Sequence, residues 1–157
     1  MNYLKSVENL IPAYLIFSNS SEADKAYLAN LDLMNAEIEI GKGNYSSAIK
    51  ILNSHESFFL QKALDKNLDR SAREDANKDI AQLITLKGNA LRHRGELLRA
   101  YSAFVFGETW IKDKIGKKSL HFSNHLFYFA QMLEENGTKE LPSSYYKDAY
   151  LYAASAL

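Results

Sequence analysis

The sequence predicts an all-helical protein, and three observations support that prediction. The chain has 157 residues, of which 46% are hydrophobic and 24% charged, which is typical of a single globular domain with a core. Only two prolines and seven glycines occur, so there are few positions at which a helix must stop. Apolar residues also recur at helical spacing, as at Ile80, Leu83, Ile84 and Leu91. We therefore expect one domain over residues 1–157, built of helices.

The first pair of helices is predicted over about residues 21–54. One helix is expected from about Ser21 to Gly41, followed by a turn at Gly43. The second helix of the pair carries residues at helical spacing, namely Tyr45, Ala48, Ile49 and Leu52. This segment is therefore expected to form a helix hairpin.

A mostly polar stretch follows at about residues 55–78. It is rich in Asp, Lys, Asn and Arg, which are common in exposed segments. A connection of this length is unusual inside a compact domain. We therefore expect an insertion that consists of a helix extension and an exposed loop.

The second hairpin is predicted over about residues 71–111. Ser71 and Glu74 have the spacing of a capping box, in which the two side chains satisfy free amide groups at a helix start. The helix is expected to end at Gly95, where the chain turns. The next helix, from Glu96 to Ile111, carries Ala100, Phe104 and Trp110.

The third hairpin is predicted over about residues 119–156. Its first helix runs from about Ser119 to Glu135, and the turn falls at Asn136 and Gly137. The last helix begins at Pro142, since proline suits the first turn of a helix. That helix is apolar almost all round, so we expect it to be covered by another repeat, a partner subunit or a second copy of the chain.

The three hairpins raise the possibility of a repeat. Gly43, Gly95 and Gly137 are separated by 52 and 42 residues, whereas a tetratricopeptide unit has about 34. The first excess coincides with the polar stretch at about 55–78. An array with insertions is therefore the expected architecture.

The run from Leu86 to Gly95, followed by Ala100 and Phe104, resembles the tetratricopeptide repeat family. In that family a small residue, here Gly88, lets two helices approach closely, and a large one, here Leu91, fills the seam. The first hairpin matches the pattern at Ala36, Tyr45, Ala48 and Leu52. The third matches at Leu126, Phe129, Ala130, Leu133, Gly137, Tyr146 and Ala149, and departs at Pro142, where the family has a small residue. The resemblance implies a short right-handed superhelix of hairpins that binds other proteins.

A narrower resemblance extends over nearly the whole chain. The order of hairpins and insertion, together with the stretch from Glu140 to Asp148, is similar to the N-terminal region of the family of seventh subunits of the anaphase-promoting complex. That family implies a noncatalytic scaffold in a ubiquitin ligase of the cell cycle. It also implies repeats that self-associate, and hence a homodimer or a larger complex.

The repeat register implies a set of protein-binding residues on the concave side of the second hairpin. These are Gln82, Thr85, Asn89, Arg92 and His93. In chaperone-binding members of the family a lysine occupies the position of Thr85 and grips a terminal carboxylate. A carboxylate clamp of that kind is therefore not expected here.

A local excess of positive charge is the second candidate site. Between Lys87 and Lys118 there are eight Lys or Arg residues against three acids. The members assigned to a basic patch are Arg94, Arg99, Lys112, Lys114, Lys117 and Lys118. Such a patch would suit an acidic peptide, and the alternative is a solvated helix face. Replacing both Arg92 and Arg94 with Glu is expected to weaken binding to at least one native partner and to leave the circular dichroism unchanged.

The chain offers little for catalysis. His121 and His125 are four residues apart, a spacing that lets two imidazoles face one metal ion on a helix. Two ligands are too few for a site, and neither a catalytic Ser-His-Asp set nor a phosphate-binding loop is present. We expect a noncatalytic protein without a cofactor. A helical metal-dependent enzyme that uses these two histidines is the alternative.

Charge and cysteine content bound the partners and the location. The 19 basic and 19 acidic residues cancel, so neither nucleic acid nor an anionic membrane is an expected partner. The apolar stretch at residues 10–17 contains Pro12 and is too short for a membrane span. No cysteine occurs, which suits a reducing compartment. A cytoplasmic or nuclear protein is therefore expected.

Overall fold

The computed structural model of the chain describes residues 22–135, 146–148 and 151. Within this part of the chain every regular element is a helix, which confirms the all-α prediction. Five helices are named here: α1 (Glu22–Gly41), α2 (Tyr45–Leu64), α3 (Arg70–His93), α4 (Leu97–Lys114) and α5 (Leu120–Glu135). Among them, none combines the length and the apolarity that crossing a bilayer requires. Three predictions lie outside the described residues: the apolar stretch at residues 10–17, the turn at Asn136 and Gly137, and the helix start at Pro142.

Glycines turn the chain after α1, α3 and α4. Gly43, Gly95 and Gly116 have φ angles of 83°, 75° and 101°, a region that residues with a Cβ rarely adopt. Behind Gly43 and Gly95, backbone hydrogen bonds close the last helical turn, such as Glu96 N to Leu91 O at 3.0 Å. The turns predicted at Gly43 and Gly95 are present, and Gly116 is a further turn between α4 and α5.

The start of α3 differs from the prediction. Asp69 is the N-cap, and its carboxylate accepts a hydrogen bond of 2.8 Å from the amide of Ala72. Ser71 lies inside the helix, and Glu74 forms an ion pair with Arg70 at 2.7 Å. The predicted capping box of Ser71 and Glu74 is therefore wrong. The reason is that Asp69, an equally good cap, precedes it and starts the helix earlier.

Most of the polar stretch at about 55–78 is helical. Helix α2 continues to Leu64 and α3 begins at Arg70, so the connection is limited to residues 65–69. Phe59 is fully buried in the main core, with Phe58 packed against it. These apolar residues hold the extension of α2 on its neighbours despite the many charges around them. The helix extension was expected, whereas the exposed loop is shorter than expected.

The helices pack in a regular order. Each helix contacts the next one along the chain, and α3 also contacts both α1 and α5. Among the described residues, α2 and α4 do not contact each other. The contacts therefore define one layer of α1, α3 and α5 and a second layer of α2 and α4, with α3 at the centre.

Phe104 of α4 is the centre of the contact with α3 and α5. Its ring stacks on Phe129 at 5.3 Å between centroids and meets the ring of His125 edge-on at 5.4 Å. On the other side lies Gly88 of α3, where a Cβ atom would come within 2.9 Å of the Phe104 ring. The close helix crossing predicted at Gly88 is thus present, and Phe104 is the large side chain opposite it.

Candidate protein-binding face

One face of α3 carries four of the predicted concave residues. Gln82, Thr85, Asn89 and Arg92 follow the spacing of a single helical face. Arg92 reaches α5, where its guanidinium donates to Gln131 at 3.0 Å and to Glu135 at 3.1 Å. The face is therefore part of the α1–α3–α5 layer. We call it the α3 face.

A small cavity of about 150 Å³ opens at the α3 face. Its polar lining comes from three helices: Glu37 of α1, Gln82 and Thr85 of α3, and His121, Asn124 and Tyr128 of α5. Burial, followed by the charge of Lys78, lowers the pKa of His121, so its imidazole is neutral at pH 7. The cavity thus presents neutral hydrogen-bonding groups beside one acid.

Sequence reasoning did not assign Glu37, Asn124 and Tyr128 to a site. Asn124 and Tyr128 are four residues apart on α5, with His121 one turn before them. This spacing indicates a shared site only when the helix that packs beside this face of α5 is known. The structure shows that this helix is α3.

Thr85 and His125 form a buried polar cluster behind the cavity. His125 is fully buried, and its Nε2 donates to the carbonyl of Phe104 at 2.7 Å. Because Nε2 carries the proton, Nδ1 is the acceptor nitrogen of the ring, and it lies 2.7 Å from the hydroxyl of Thr85. That hydroxyl also lies 2.8 Å from the carbonyl of Ala81, so its single proton serves two acceptors.

This cluster rules out His121 and His125 as a pair of metal ligands. Both ring nitrogens of His125 are engaged inside the protein, whereas His121 lines the cavity. His125 therefore has no nitrogen free for a metal ion, and the two histidines do not form a ligand pair. Within the described residues, no group of three or more metal-ligating side chains occurs elsewhere.

We expect the stability of the protein to depend on pH through His125. Burial lowers its pKa to about 4, against the opposing effects of the Phe104 carbonyl and Glu108. Because the unfolded value is about 6.5, the unfolded chain binds more protons between these two values. The stability that neutral His125 contributes is fully present above pH 6.5 and is lost as the pH falls towards 4. The total loss in the free energy of unfolding is on the order of 3 kcal/mol.

Urea unfolding between about pH 7 and about pH 4.5 tests this expectation. Wild type should lose stability more steeply than His125→Gln, which has no imidazole to titrate. His121→Gln is the comparison variant: burial lowers the pKa of His121 too, and because this residue is less buried than His125, its removal should reduce the pH dependence by less. Equal pH dependence of wild type and His125→Gln would contradict the prediction.

Asn89 and Arg92 combine burial with unused hydrogen-bonding capacity. The two residues are only 5% and 7% exposed. Among the described residues, Asn89 Oδ1 and Arg92 Nε have no hydrogen-bond partner. Leaving such a buried group unpaired costs about 1–3 kcal/mol. Because both atoms are buried and neither residue lines the cavity, a molecule bound at the α3 face does not reach them.

His93 lies beside this face rather than on it. Its ring stacks on Tyr45 at 4.7 Å with an interplanar angle of 8°. Its Nε2 lies 2.8 Å from the guanidinium of Arg92 and accepts a hydrogen bond from it. Burial, followed by the charge of Arg92, lowers the pKa of His93. His93 thus joins the first hairpin to the second.

The residues of the predicted basic patch fall into two groups. Arg94 and Arg99 lie near the turn between α3 and α4, and both pair with Glu96. The four lysines 112, 114, 117 and 118 lie at the other end of α4, where Lys112 pairs with Glu108. At 1.5 Å per residue, Arg99 and Lys114 are about 22 Å apart along the helix. The structure therefore does not bring these cations together into one surface.

Arg92 and Arg94 are expected to differ when each is replaced by Met. Arg92 is buried and hydrogen-bonded to α5, so its loss should cost about 1.5–3 kcal/mol of stability. Arg94 is exposed in a surface ion pair, worth about 0–1 kcal/mol. Thermal unfolding of the two Met variants measures the difference, and equal values would contradict it.

Because Arg92 is buried, replacing both Arg92 and Arg94 with Glu is expected to have a different effect from the one predicted from the sequence. A glutamate in place of Arg92 would lose the hydrogen bonds to α5 and would bring a second negative charge next to Glu135. Like charges at such a contact repel each other, and the new carboxylate would be almost completely buried. The expectation that the double change leaves the helices unchanged therefore does not hold.

Comparison of the chain with protein-family models, curated proteins and solved structures finds no match.

Proposed function

We propose that this chain is a noncatalytic scaffold of the tetratricopeptide type that binds other proteins through the α3 face. The observation that carries the proposal is the cavity that opens at that face, where the amides of Gln82 and Asn124 face it from two different helices. Each amide can donate to and accept from the backbone of a bound segment.

The packing of the helices supports the repeat assignment. In stacked hairpins, the first helix of each hairpin contacts the first helix of the next, as α1, α3 and α5 do. The third hairpin gains support from Tyr146, which donates to Glu134 at 2.8 Å and packs edge-on against Phe127. The chain after α5 therefore returns to α5, as the second helix of a hairpin would.

The chemistry of the cavity supports an extended peptide segment as the ligand. Gln82 and Asn124 line it from α3 and α5, and each amide can both donate to and accept from a peptide backbone. The described lining includes Glu37 and neither lysine nor arginine. This composition favours a neutral or basic segment over the acidic peptide that the basic patch suggested.

At the level of the assembly, we extend the proposal to a structural subunit of a ubiquitin ligase that also associates with its own copy. The support is the resemblance of the sequence order to the seventh subunits of the anaphase-promoting complex. A tetratricopeptide adaptor of another pathway is the alternative. Co-purification of two differently tagged copies from cells distinguishes self-association from binding of other subunits alone.

A displayed library of random peptides tests the binding face directly. Peptides that the purified full chain enriches are measured by calorimetry with wild type, Asn124→Ala and the control Ser102→Ala, which changes an exposed residue of α4. Asn124 lines the cavity, and we expect Asn124→Ala to raise Kd about tenfold, or about 1.4 kcal/mol. Ser102→Ala should bind as wild type does.

Two outcomes would contradict the proposal. One is unchanged affinity of a correctly folded Asn124→Ala variant for every enriched peptide. The other is a loss of affinity in Ser102→Ala instead, which would place the ligand on α4. Circular dichroism of each variant shows that the fold is retained.

A further inference from the structure

A second, larger cavity lies at the other side of the first hairpin. Its volume is about 840 Å³, and Ala26 of α1, Phe58 and Leu64 of α2, and Leu68 of the following connection form its apolar lining. Leu64 is 61% exposed, which is high for a leucine. None of the residues of the α3 face lines this cavity, so it is a separate site. We call it the α1–α2 groove.

The groove favours an uncharged, apolar occupant. Within the part of the chain that the structure describes, its lining carries one cation and one anion, Lys62 and Asp65, which are three residues apart and cancel. Apolar side chains left in water are unfavourable, and a contiguous patch of this kind commonly marks an interaction site. A strongly acidic or basic partner would gain nothing from such a lining.

The chain itself contains a segment with the required chemistry. Residues 10–17 read Leu-Ile-Pro-Ala-Tyr-Leu-Ile-Phe, and no charged residue occurs between Glu8 and Glu22. Their structure lies outside the described residues. As a sequence, this is an apolar stretch that precedes the first helix.

The length of the intervening chain allows this segment to reach the groove. Helix α1 begins at Glu22, so only residues 18–21 separate it from Phe17. At about 3.3–3.6 Å per residue, these four residues can span up to about 14 Å. Ala26, which lines the groove, is about one helical turn from the start of α1. The groove thus lies where the preceding chain arrives.

We propose that the segment of residues 10–17 docks into the α1–α2 groove of its own chain. Its apolar side chains cover Phe58, Leu64 and Leu68, and the uncharged segment matches a lining without net charge. The docked segment would exclude other apolar segments from that groove.

Disulfide trapping tests this docking cleanly because the chain contains no cysteine. The full chain is prepared with Phe17→Cys and Leu64→Cys, and the matched control combines Phe17→Cys with Ser47→Cys. Ser47 is an exposed residue at the opposite end of α2. A disulfide needs Cα atoms about 4.4–6.8 Å apart, so Leu15→Cys with Leu64→Cys and Phe17→Cys with Gln61→Cys extend the panel.

We expect an intramolecular disulfide in the groove pairs under mild oxidation, formed at least tenfold faster than in the control. The bond forms as two thiols lose two electrons and two protons to the added oxidant. Disulfides between chains would show that a second copy fills the groove and would overturn the proposal. Equal rates in the groove pairs and the control would overturn it as well.

Hydrogen–deuterium exchange gives a second, independent readout. The double substitution of Leu15→Asp and Ile16→Asp in the full chain should release the segment and raise amide exchange in residues 58–64 severalfold. Exchange in α5 is the internal control and should stay at the wild-type rate. Unchanged exchange in residues 58–64 contradicts docking.

Discussion

Gly88→Leu is expected to lower the free energy of unfolding by about 1–3 kcal/mol or more, as inserted core side chains do. Gly88 lies in the middle of α3, where glycine itself costs about 1 kcal/mol relative to alanine. The reason for glycine is the ring of Phe104, which a Cβ atom would approach to 2.9 Å. Phe104 cannot retreat easily, because it stacks on Phe129 and contacts His125.

Chemical unfolding of Gly88→Leu measures this loss. The matched control is Lys78→Leu, which places the same side chain at an exposed position of the same helix and should change stability by no more than about 0.5 kcal/mol. Adding Phe104→Ala to Gly88→Leu should recover part of the loss, since the ring is the obstacle. Wild-type stability of Gly88→Leu would show that the close crossing is absent.

Gly107→Ala is expected to destabilise the protein by about 1–3 kcal/mol, although alanine is the better helix former by about 1 kcal/mol. The added methyl group would come within 2.3 Å of the His125 ring and 2.8 Å of Ile84. Hydrogen bonds to Phe104 and Thr85 hold that ring in place. The ring can move only by breaking them.

A double-mutant cycle assigns this effect to His125. In a His125→Ala background the obstacle is gone, so Gly107→Ala should cost much less than it does in wild type, with a coupling energy within the usual range of about 0.5–3 kcal/mol. Urea unfolding of the four proteins gives the coupling directly. The same cost in both backgrounds would mean that His125 is not what Gly107 accommodates.

The candidate site was only partly predictable. The repeat register predicts that Gln82, Thr85, Asn89, Arg92 and His93 share a binding side, and that assignment stays a prediction. The register did not reveal that Asn89 and Arg92 are almost completely buried, because that burial comes from other helices. The excess of cations near α4 was read as one patch. Local charge counting ignores the length of a helix, which separates Arg99 from the lysines.

The sequence by itself determined the helices and two of their turns. Helical periodicity and the backbone freedom of Gly43 and Gly95 act within a few residues, so they can be read locally. Only the tertiary structure decided which helices share a layer, and that Thr85 meets His125 across forty positions of sequence. It also decided that His125 belongs to the core rather than to a metal site. The physical reason is that burial and hydrogen-bond partners depend on contacts between distant segments, and no spacing along one helix encodes those contacts.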